Sequence, residues 1–459
     1  MKALLITGDR SGSGKTSITL AIAALLSRTH TVQTFKVGMD YIDPSYLSGV
    51  TGRPCRNLDS FVMTPEEIRE IFAHGCEGAE IAIVEGVRGL FEGAEALSDE
   101  GSTADIAKLL DLEIVLVVNA RSITRSAAAI VKGFMAFDPA LRIRGVIVNN
   151  IMGASHREKA TRAIEHHCGI PVIGAIPRTE KMELAMRHLG LVPYREGQRN
   201  REFLARINEI TGIIGDHLSI DALLACAGEK DPAGMDSSLF DGEKGSDVSI
   251  GIAYDEAFNF YYADLFDILR IYGAKPVFFS PVHDRLPDAD GYILGGGYPE
   301  LFAQELEANQ GMREGLAAAS AAGIPVYAEC GGLLYLTDRI VLAKGFGGLE
   351  EDTPYEMCGV FSGETRMPAG RVIGYVEGVS SPESPLGAAR FRGHEFHHTD
   401  VRLSGSPAFA YRLSRGLGIA ETLDAALVNR TQGSYTHLHP VASRGMFAHF
   451  VDLCRRGNK

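Results

Sequence analysis

The residues Gly8-Asp9-Arg10-Ser11-Gly12-Ser13-Gly14-Lys15-Thr16-Ser17 follow the apolar run Ala3–Thr7 and open a helical pattern at Lys15. A glycine-rich turn between a strand and a helix lets backbone N–H groups approach phosphate oxygens, and the helix N-terminus adds partial positive charge. In that setting Gly12, Ser13, Gly14, Lys15, Thr16 and Ser17 are the candidates for binding ATP. Lys15 would neutralise the β- and γ-phosphates, and the Thr16 hydroxyl would ligate Mg²⁺. The spacing from Gly8 to Gly14 is one residue longer than in the usual GxxxxGK[ST] loop.

Two later runs end in charged residues. Val32–Val37 carries Lys36 and leads into Asp40 and Asp43, and Glu80–Glu85 ends in Glu85 and leads into Glu92. A carboxylate closing a buried apolar strand stands where the Mg²⁺-holding acid of a P-loop enzyme belongs, which singles out Glu85. Lys36 with Asp40 and Asp43 puts both signs of charge at a strand end, suiting a site that holds metal, phosphate and a carboxylate. A lone acid there could equally cap a helix.

In the second half, Pro325-Val326-Tyr327-Ala328-Glu329-Cys330-Gly331-Gly332 reads as a strand, a turn of small residues and a helix start. Ala328 and Gly332 flank Cys330 at −2 and +2, as in a nucleophile elbow, where a helix N-terminus lowers the thiol pKa. A thiol nucleophile needs a base and an oxyanion site. Gly296 and Gly297, after the strand Gly291–Leu294, and Gly331, beside the thiol, offer backbone N–H donors. His437 and His439 offer imidazoles. The segment Arg392-Gly393-His394-Glu395-Phe396-His397-His398 could bind metal by residue type. Its alternation fits a strand or loop better than a metal-binding helix, and Arg392 suits a substrate carboxylate.

These groups need a scaffold. Between residues 3 and 176, short apolar runs alternate with helical stretches, the pattern of a parallel sheet covered on both faces. Ligands bind such sheets beyond the carboxyl ends of the strands, where the residues above fall. A Gly-, Asp-, Ser- and Lys-rich run at 229–246 reads as a linker, and a second α/β series opens at Val248. The expectation is an α/β protein of two doubly wound parallel-sheet domains, residues 1–228 and 247–459.

The 459 residues are 45% hydrophobic and 22% charged, enough apolar content for real cores, and the formal net charge is −13. An acidic chain is a poor general partner for nucleic acid. No apolar run is long enough for a membrane span, and the start lacks the apolar core of a signal peptide. Seven scattered cysteines without a CxxC pair fit reduced thiols. The expected location is therefore cytoplasmic, with no nucleic-acid or membrane partner, and a homodimer is left open.

Taken in order, GDRSGSGKTS, FKVGMDYIDP, GRPCRNLD, VEGVRGLFEG, GSTADIAKLL, RHLGL, DEAFNFYY, LGGGYPE, AECGG, RGHEFHH and SYTHLH resemble the cobyrinic acid a,c-diamide synthase family over nearly the whole chain. In that family a synthetase domain of the dethiobiotin synthetase type is joined to a class I glutamine amidotransferase domain. The resemblance implies ATP- and glutamine-dependent amidation of the a and c carboxylates of a corrinoid-type tetrapyrrole, through an acyl phosphate, in cobalamin biosynthesis. It implies Cys330 as thioester-forming nucleophile with His437 as base, and Mg²⁺ on Thr16, Asp43 and Glu85. It also implies Lys36, Asp40, Tyr41, Glu92 and Arg392 around a tetrapyrrole polycarboxylate, with L-glutamine as the nitrogen source.

Met39 replaces a common Pro and Glu92 a common Asp, which leaves a nickel-sirohydrochlorin a,c-diamide synthase of coenzyme F430 assembly as an alternative. His437-Leu438-His439 lacks the acid of the His-x-Glu motif of class I amidotransferases, so another group must orient His437. A nucleotide-switch protein with an inert amidotransferase-like domain is the alternative of a different class. Arg10, where the partition ATPases carry a signature Lys, argues against it.

Overall fold

The computed structural model describes residues 1–182, 186–187, 190–191, 201–234, 238–242 and 245–457. They form two compact units, Met1–Leu239 and Phe240–Lys459. His188 and Leu189 of the RHLGL segment, and residues 235–237 and 243–244 of the expected linker, lie outside the described residues.

In the first unit the elements run β1 (Lys2–Gly8), α1 (Lys15–Leu26), β2 (Val32–Val37), α2 (Ile42–Thr51), β3 (Arg56–Leu58), α3 (Pro65–Cys76), β4 (Ile81–Glu85), α4 (Thr103–Leu109), β5 (Glu113–Asn119), α5 (Arg125–Phe137), β6 (Arg142–Ile151), α6 (Ala154–Cys168) and β7 (Val172–Pro177). The sheet order is β3-β2-β4-β1-β5-β6-β7, with every neighbour parallel. Gly228–Glu229 adds antiparallel to β1. Apolar side chains on both faces of β1 and β4 are buried, as helices on both sides of a parallel sheet require. Order reverses about β1, which lies between β4 and β5, so the crevice at the carboxyl end of β1 is the switch point where ligands bind.

One face of this sheet packs on α1 and on the helix Arg201–His217, whose Phe203, Ile207, Ile210 and Ile214 are buried. Helix α3 starts where its sequence dictates. Thr64 and Glu67 form a reciprocal capping box, and Pro65 fills the first helical turn.

The second unit is built on a ten-stranded sheet. Ala274–Phe279, Val248–Ala253, Gly291–Leu294, Val326–Glu329 and Thr431–Ser434 are parallel, in that spatial order. The sheet continues antiparallel through Leu423–Val428, Ala408–Arg415, Val372–Ser380, Ala389–His397 and His437–Leu438. Thr431–Ser434 and the far edge strand His437–Leu438 are separated in sequence only by Tyr435 and Thr436. The antiparallel arm must therefore curl back on the parallel part, bringing its last strand beside the end of Val326–Glu329. Parallel strands supply the Cys330 elbow, and the curled arm supplies the histidine.

Candidate active site

In the first unit, the turn between β1 and α1 is set by two glycines with left-handed backbone, Gly12 (φ 75°) and Gly14 (φ 89°). Gly14 caps α1, and a Cβ there would lie 2.2 Å from Asn149 Nδ2, which donates to the Ser13 carbonyl at 2.8 Å. Both strain and collision therefore oppose a side chain. Gly14→Ala is expected to cost about 1–2 kcal/mol from the left-handed backbone alone and to weaken nucleotide binding further. Thermal unfolding with and without nucleotide checks this, and an unchanged nucleotide-induced shift would contradict it.

Adjacent parallel strands converge the charged residues. Lys36 on β2 and Glu85 on β4 are register partners at the strand ends. Lys36 Nζ lies 3.0 Å from Glu85 Oε1, 2.5 Å from Asp43 Oδ2 and 3.8 Å from Asp40 Oδ2. Thr16 Oγ1 donates to Glu85 Oε1 at 2.8 Å and lies 3.2 Å from Asp43 Oδ2, and Lys15 Nζ is 3.4 Å from Glu85 Oε1. Thus Lys15, Thr16, Lys36, Asp43 and Glu85, drawn from three separate stretches of sequence, meet at one point.

Electrostatics follow from this crowding. Burial opposes the Lys36 charge, but Asp43, Glu85 and Asp40 outweigh it and hold its pKa well above the usual lysine range. For Lys15, burial dominates, Lys36 adds repulsion, and the pKa is lowered. Burial works against the Asp43 carboxylate too, yet Lys36 and Lys15 pull its pKa down. Asp40 goes the other way, pushed up to about 7 by burial and by Asp43. Lys36→Met would leave these acids buried without their shared cation. It is expected to destabilise the unit by about 3–5 kcal/mol, read as a lower midpoint in denaturant unfolding; an unchanged midpoint would contradict the ion cluster's role.

A divalent cation suits this oxygen set. Glu85 Oε2 is buried and has no hydrogen-bond partner among the described residues, while Oε1 is shared by Thr16 and the two lysines. Two carboxylates and a hydroxyl beside a phosphate-binding turn match Mg²⁺, which takes few protein ligands and completes its shell with phosphate oxygens and water.

The remaining residues expected around the substrate are less gathered. Tyr41 is the N-cap residue of α2, and Asp40 accepts the Ile42 amide at 2.8 Å. Glu92 is exposed and lies over Gly89. Ser17 donates to the Met182 carbonyl at 3.1 Å. Arg392 belongs to the second unit, where it faces Glu377 across paired strands at 2.9 Å.

In the second unit Cys330 sits at the end of Val326–Glu329 with φ 42° and ψ −99°, a strained conformation for a non-glycine residue and the mark of an elbow. Its amide donates to the Ser434 carbonyl at 2.7 Å. Gly332 N donates to the Gly295 carbonyl at 3.0 Å, tying the elbow to the glycine turn. A Cβ on Gly331 would lie 3.0 Å from Gly297 N, and one on Gly296 would lie 2.9 Å from His437 Cε1. The three glycines, the thiol and His437 therefore occupy one small volume. Gly297 has φ 153° and passes so close to Ala257 O that a Cβ would be 2.0 Å away.

His437 is buried and hydrogen-bonds with Cys330, and its Nδ1 lies 3.1 Å from Glu329 Oε2. Burial disfavours the imidazolium, but Cys330 and Glu329 outweigh it and the pKa is raised to about 10. The turn before it is clamped by Asp424, which accepts from the amides of Tyr435 and Thr436 and from the Thr436 hydroxyl. Sequence reasoning did not single out Glu329, although it stands next to Cys330. Strand alternation normally sends neighbouring side chains to opposite faces, and the backbone break at Cys330 ends that alternation.

The residues of RGHEFHH have separate partners. Glu395 accepts the amides of Leu417 and Gly418, while His397 Nδ1 lies 3.0 Å from the Thr399 carbonyl and its ring stacks on Tyr435. His394 stacks on His437 at 4.9 Å.

Comparison with known proteins agrees with both halves of this geometry. Residues 4–192 match the model of the CobQ/CobB/MinD/ParA nucleotide binding domain, and residues 249–444 match that of the CobB/CobQ-like glutamine amidotransferase domain. The chain is 50% identical to a cobyrinate a,c-diamide synthase of Methanosarcina acetivorans, over 98% of this chain and 94% of that protein. It is 48% identical to a protein of the same name from Methanosarcina barkeri, over 98% and 96%. For the protein of that name from Picrophilus torridus the identity is 36%, over 99% of each. With a phosphate-binding turn in one unit, a thiol elbow in the other and this identity along the full length, the chain belongs to the cobyrinate a,c-diamide synthase family of glutamine-dependent amidoligases.

Proposed function

We propose that this amidoligase uses ATP and L-glutamine to convert the a and c carboxylates of a corrinoid-type tetrapyrrole into amides, as a cobyrinate a,c-diamide synthase in cobalamin biosynthesis. The observation that carries this reading is the meeting of Lys15, Thr16, Lys36, Asp43 and Glu85 beside the glycine turn. A carboxylate is a poor electrophile, and such a cluster suits making it a good one. In the proposed reaction a substrate carboxylate oxygen attacks the γ-phosphorus of ATP, the bridging P–O bond breaks, and ADP leaves. Ammonia then attacks the acyl carbon, the acyl C–O bond breaks, and phosphate departs as the nitrogen loses a proton.

Lys15 would balance charge on the β- and γ-phosphates, and the amides of Gly12, Ser13 and Gly14 would cradle them. Mg²⁺ held by Thr16, Asp43 and Glu85 would supply further neutralisation of phosphate charge. Lys36 keeps Asp43 ionised for that task. Asp40, Tyr41 and Glu92, after the ends of the same strands, are proposed to contact the tetrapyrrole.

Ammonia would arise in the second unit. Cys330 Sγ attacks the carboxamide carbon of glutamine, backbone amides at Gly296, Gly297 and Gly331 stabilise the oxyanion, and His437 passes a proton to the departing ammonia. Water then cleaves the thioester to glutamate. An inert domain would need neither the strained elbow nor the Cys330–His437 contact.

Among the described residues no helix is long and apolar enough to cross a membrane. The decisive experiment offers the purified protein cobyrinate, hydrogenobyrinate and nickel-sirohydrochlorin, each with ATP, Mg²⁺ and glutamine, and weighs the products. A diamide from cobyrinate supports the proposal. A diamide from nickel-sirohydrochlorin alone moves the enzyme to coenzyme F430 assembly, and no amide from any of them refutes it.

A further inference from the structure

We infer that Glu329, the residue immediately before the nucleophile, is the positioning acid of the glutamine-hydrolysing centre and takes the place of the acid missing two residues after His437. The inference rests on the reading that the second unit hydrolyses glutamine.

A Cys–His pair works when one imidazole nitrogen faces the thiol and the other is held by an acceptor that fixes the tautomer and stabilises the imidazolium. In this chain Leu438-His439 follows His437, so the strand carrying the base brings no carboxylate of its own. The acceptor comes instead from the strand carrying the nucleophile. Glu329 Oε2 lies 3.1 Å from His437 Nδ1, which leaves Nε2 as the nitrogen available to Cys330. Both side chains are buried, the His437 side chain being 2% and the Glu329 side chain 10% exposed, so the pair acts in a low dielectric.

The carboxylate is itself held. Its other oxygen, Oε1, accepts from the Tyr327 hydroxyl and from the Leu438 amide, the latter at 3.1 Å. The Leu438 contact is informative, since the amide belongs to the residue after the base. Glu329 thereby fixes the backbone of the short strand His437–Leu438 and the ring of His437 together. Tyr327 is fully buried and lies two residues before Glu329 on the same strand, so its hydroxyl reaches along the strand to turn the carboxylate. Nucleophile, acid and the group orienting the acid are thus Cys330, Glu329 and Tyr327, contributed by four consecutive residues.

Other groups near the imidazole do not supply this function. His394 stacks on the ring, and burial together with His437 and His439 drives its pKa well down, which makes it a neutral neighbour. His397 is neutral at physiological pH for the same main reason, burial, with its pKa lowered to about 4. His439 is paired with Asp264 at 3.5 Å, and Asp424 is engaged by the Tyr435–Thr436 turn. Glu329 is the carboxylate in contact with His437 among the described residues.

The test measures glutaminase kcat, KM and pH dependence for the full-length enzyme, Glu329→Gln, Glu329→Asp, Tyr327→Phe and a Cys330→Ser control. Glu329→Gln preserves shape and removes charge. It is expected to lower kcat by about 10²–10⁴-fold, with glutamine KM changed by less than about threefold. The alkaline limb of the kcat profile should move to lower pH, because the imidazolium loses its anionic partner. Glu329→Asp should recover part of kcat, and Tyr327→Phe should lower kcat by about 3–10-fold in the same direction.

Ammonia-dependent amidation, carried out by the other unit, should stay within about twofold in each variant. The inference is overturned if Glu329→Gln keeps kcat within threefold with an unmoved alkaline limb. It is also overturned if kcat falls while the alkaline limb keeps its wild-type position, or if Glu329→Asp recovers none of kcat and Tyr327→Phe has no effect. Failure of the underlying reading looks different: wild-type protein would then hydrolyse glutamine no faster than Cys330→Ser.

Discussion

Cys330→Ala is expected to abolish glutamine-dependent amidation while leaving amidation from free ammonium salts within about twofold of wild type. In the proposed reaction the thiol forms the bond to glutamine, so the loss should reach about 10⁴-fold or more. The reason for sparing the ammonia reaction is architectural. Cys330, His437 and the glycine turn belong to the unit Phe240–Lys459, whereas the turn at Gly12–Ser17 and the acids Asp43 and Glu85 belong to Met1–Leu239, with a separate sheet. Each site is built on its own sheet, so a truncation to alanine at the elbow is expected to spare the phosphate-binding turn. Parallel assays with glutamine and with ammonium chloride, read by product mass, decide the matter. Equal loss in both assays would show that the two chemistries are not separate.

The reciprocal result is expected for Lys15→Ala, with amidation falling by on the order of 10³-fold with either nitrogen source and glutaminase persisting. Lys15 is pressed against Glu85 and near Lys36, and burial lowers its pKa. In the proposed reaction it would supply the cation for phosphate charge that develops during transfer, and removing it would leave that charge facing Glu85. The fold should survive, because Lys36 remains to balance Asp43 and Glu85. Retained ammonia-dependent product would refute the assignment of the nucleotide site, and a lowered thermal midpoint would show that the lysine is needed for folding as well. The two variants together make a crossed test, in which each reaction fails alone.

Much of the first unit was readable from the chain. The runs at Val32–Val37 and Glu113–Asn119 coincide with strands over the same residues, and the helix after the glycine turn begins at Lys15. Parallel strands buried on both faces are continuous apolar runs, and GKT after such a run has a single local meaning. Helix α2 and strand β3 went unread, because Ile42–Thr51 mixes Asp, Pro, Ser and Gly with its apolar residues and Arg56–Leu58 is three residues long. In the second unit the parallel strands at Val248–Ala253, Gly291–Leu294 and Val326–Glu329 stood out. The antiparallel arm did not, since Ala389–His397 interleaves buried and exposed positions and carries five charged or imidazole side chains within its apolar pattern.

For the site the division is similar. The sequence alone determined which groups are proposed for the chemistry: a glycine turn with Lys15 and Thr16, acids at strand ends, a cysteine between small residues, and a histidine near the C-terminus. Local spacing suffices for these because each depends on neighbours a few residues away. What only the tertiary structure decided is which of them meet. The register of β2 on β4 joins Lys36 to Glu85, and the return of a curled sheet brings His437 onto Glu329, 108 residues away in the chain. Strand pairing and sheet curl are properties of contacts between distant segments, paid for in loop-closure entropy and repaid by burial, and no short window of sequence records them.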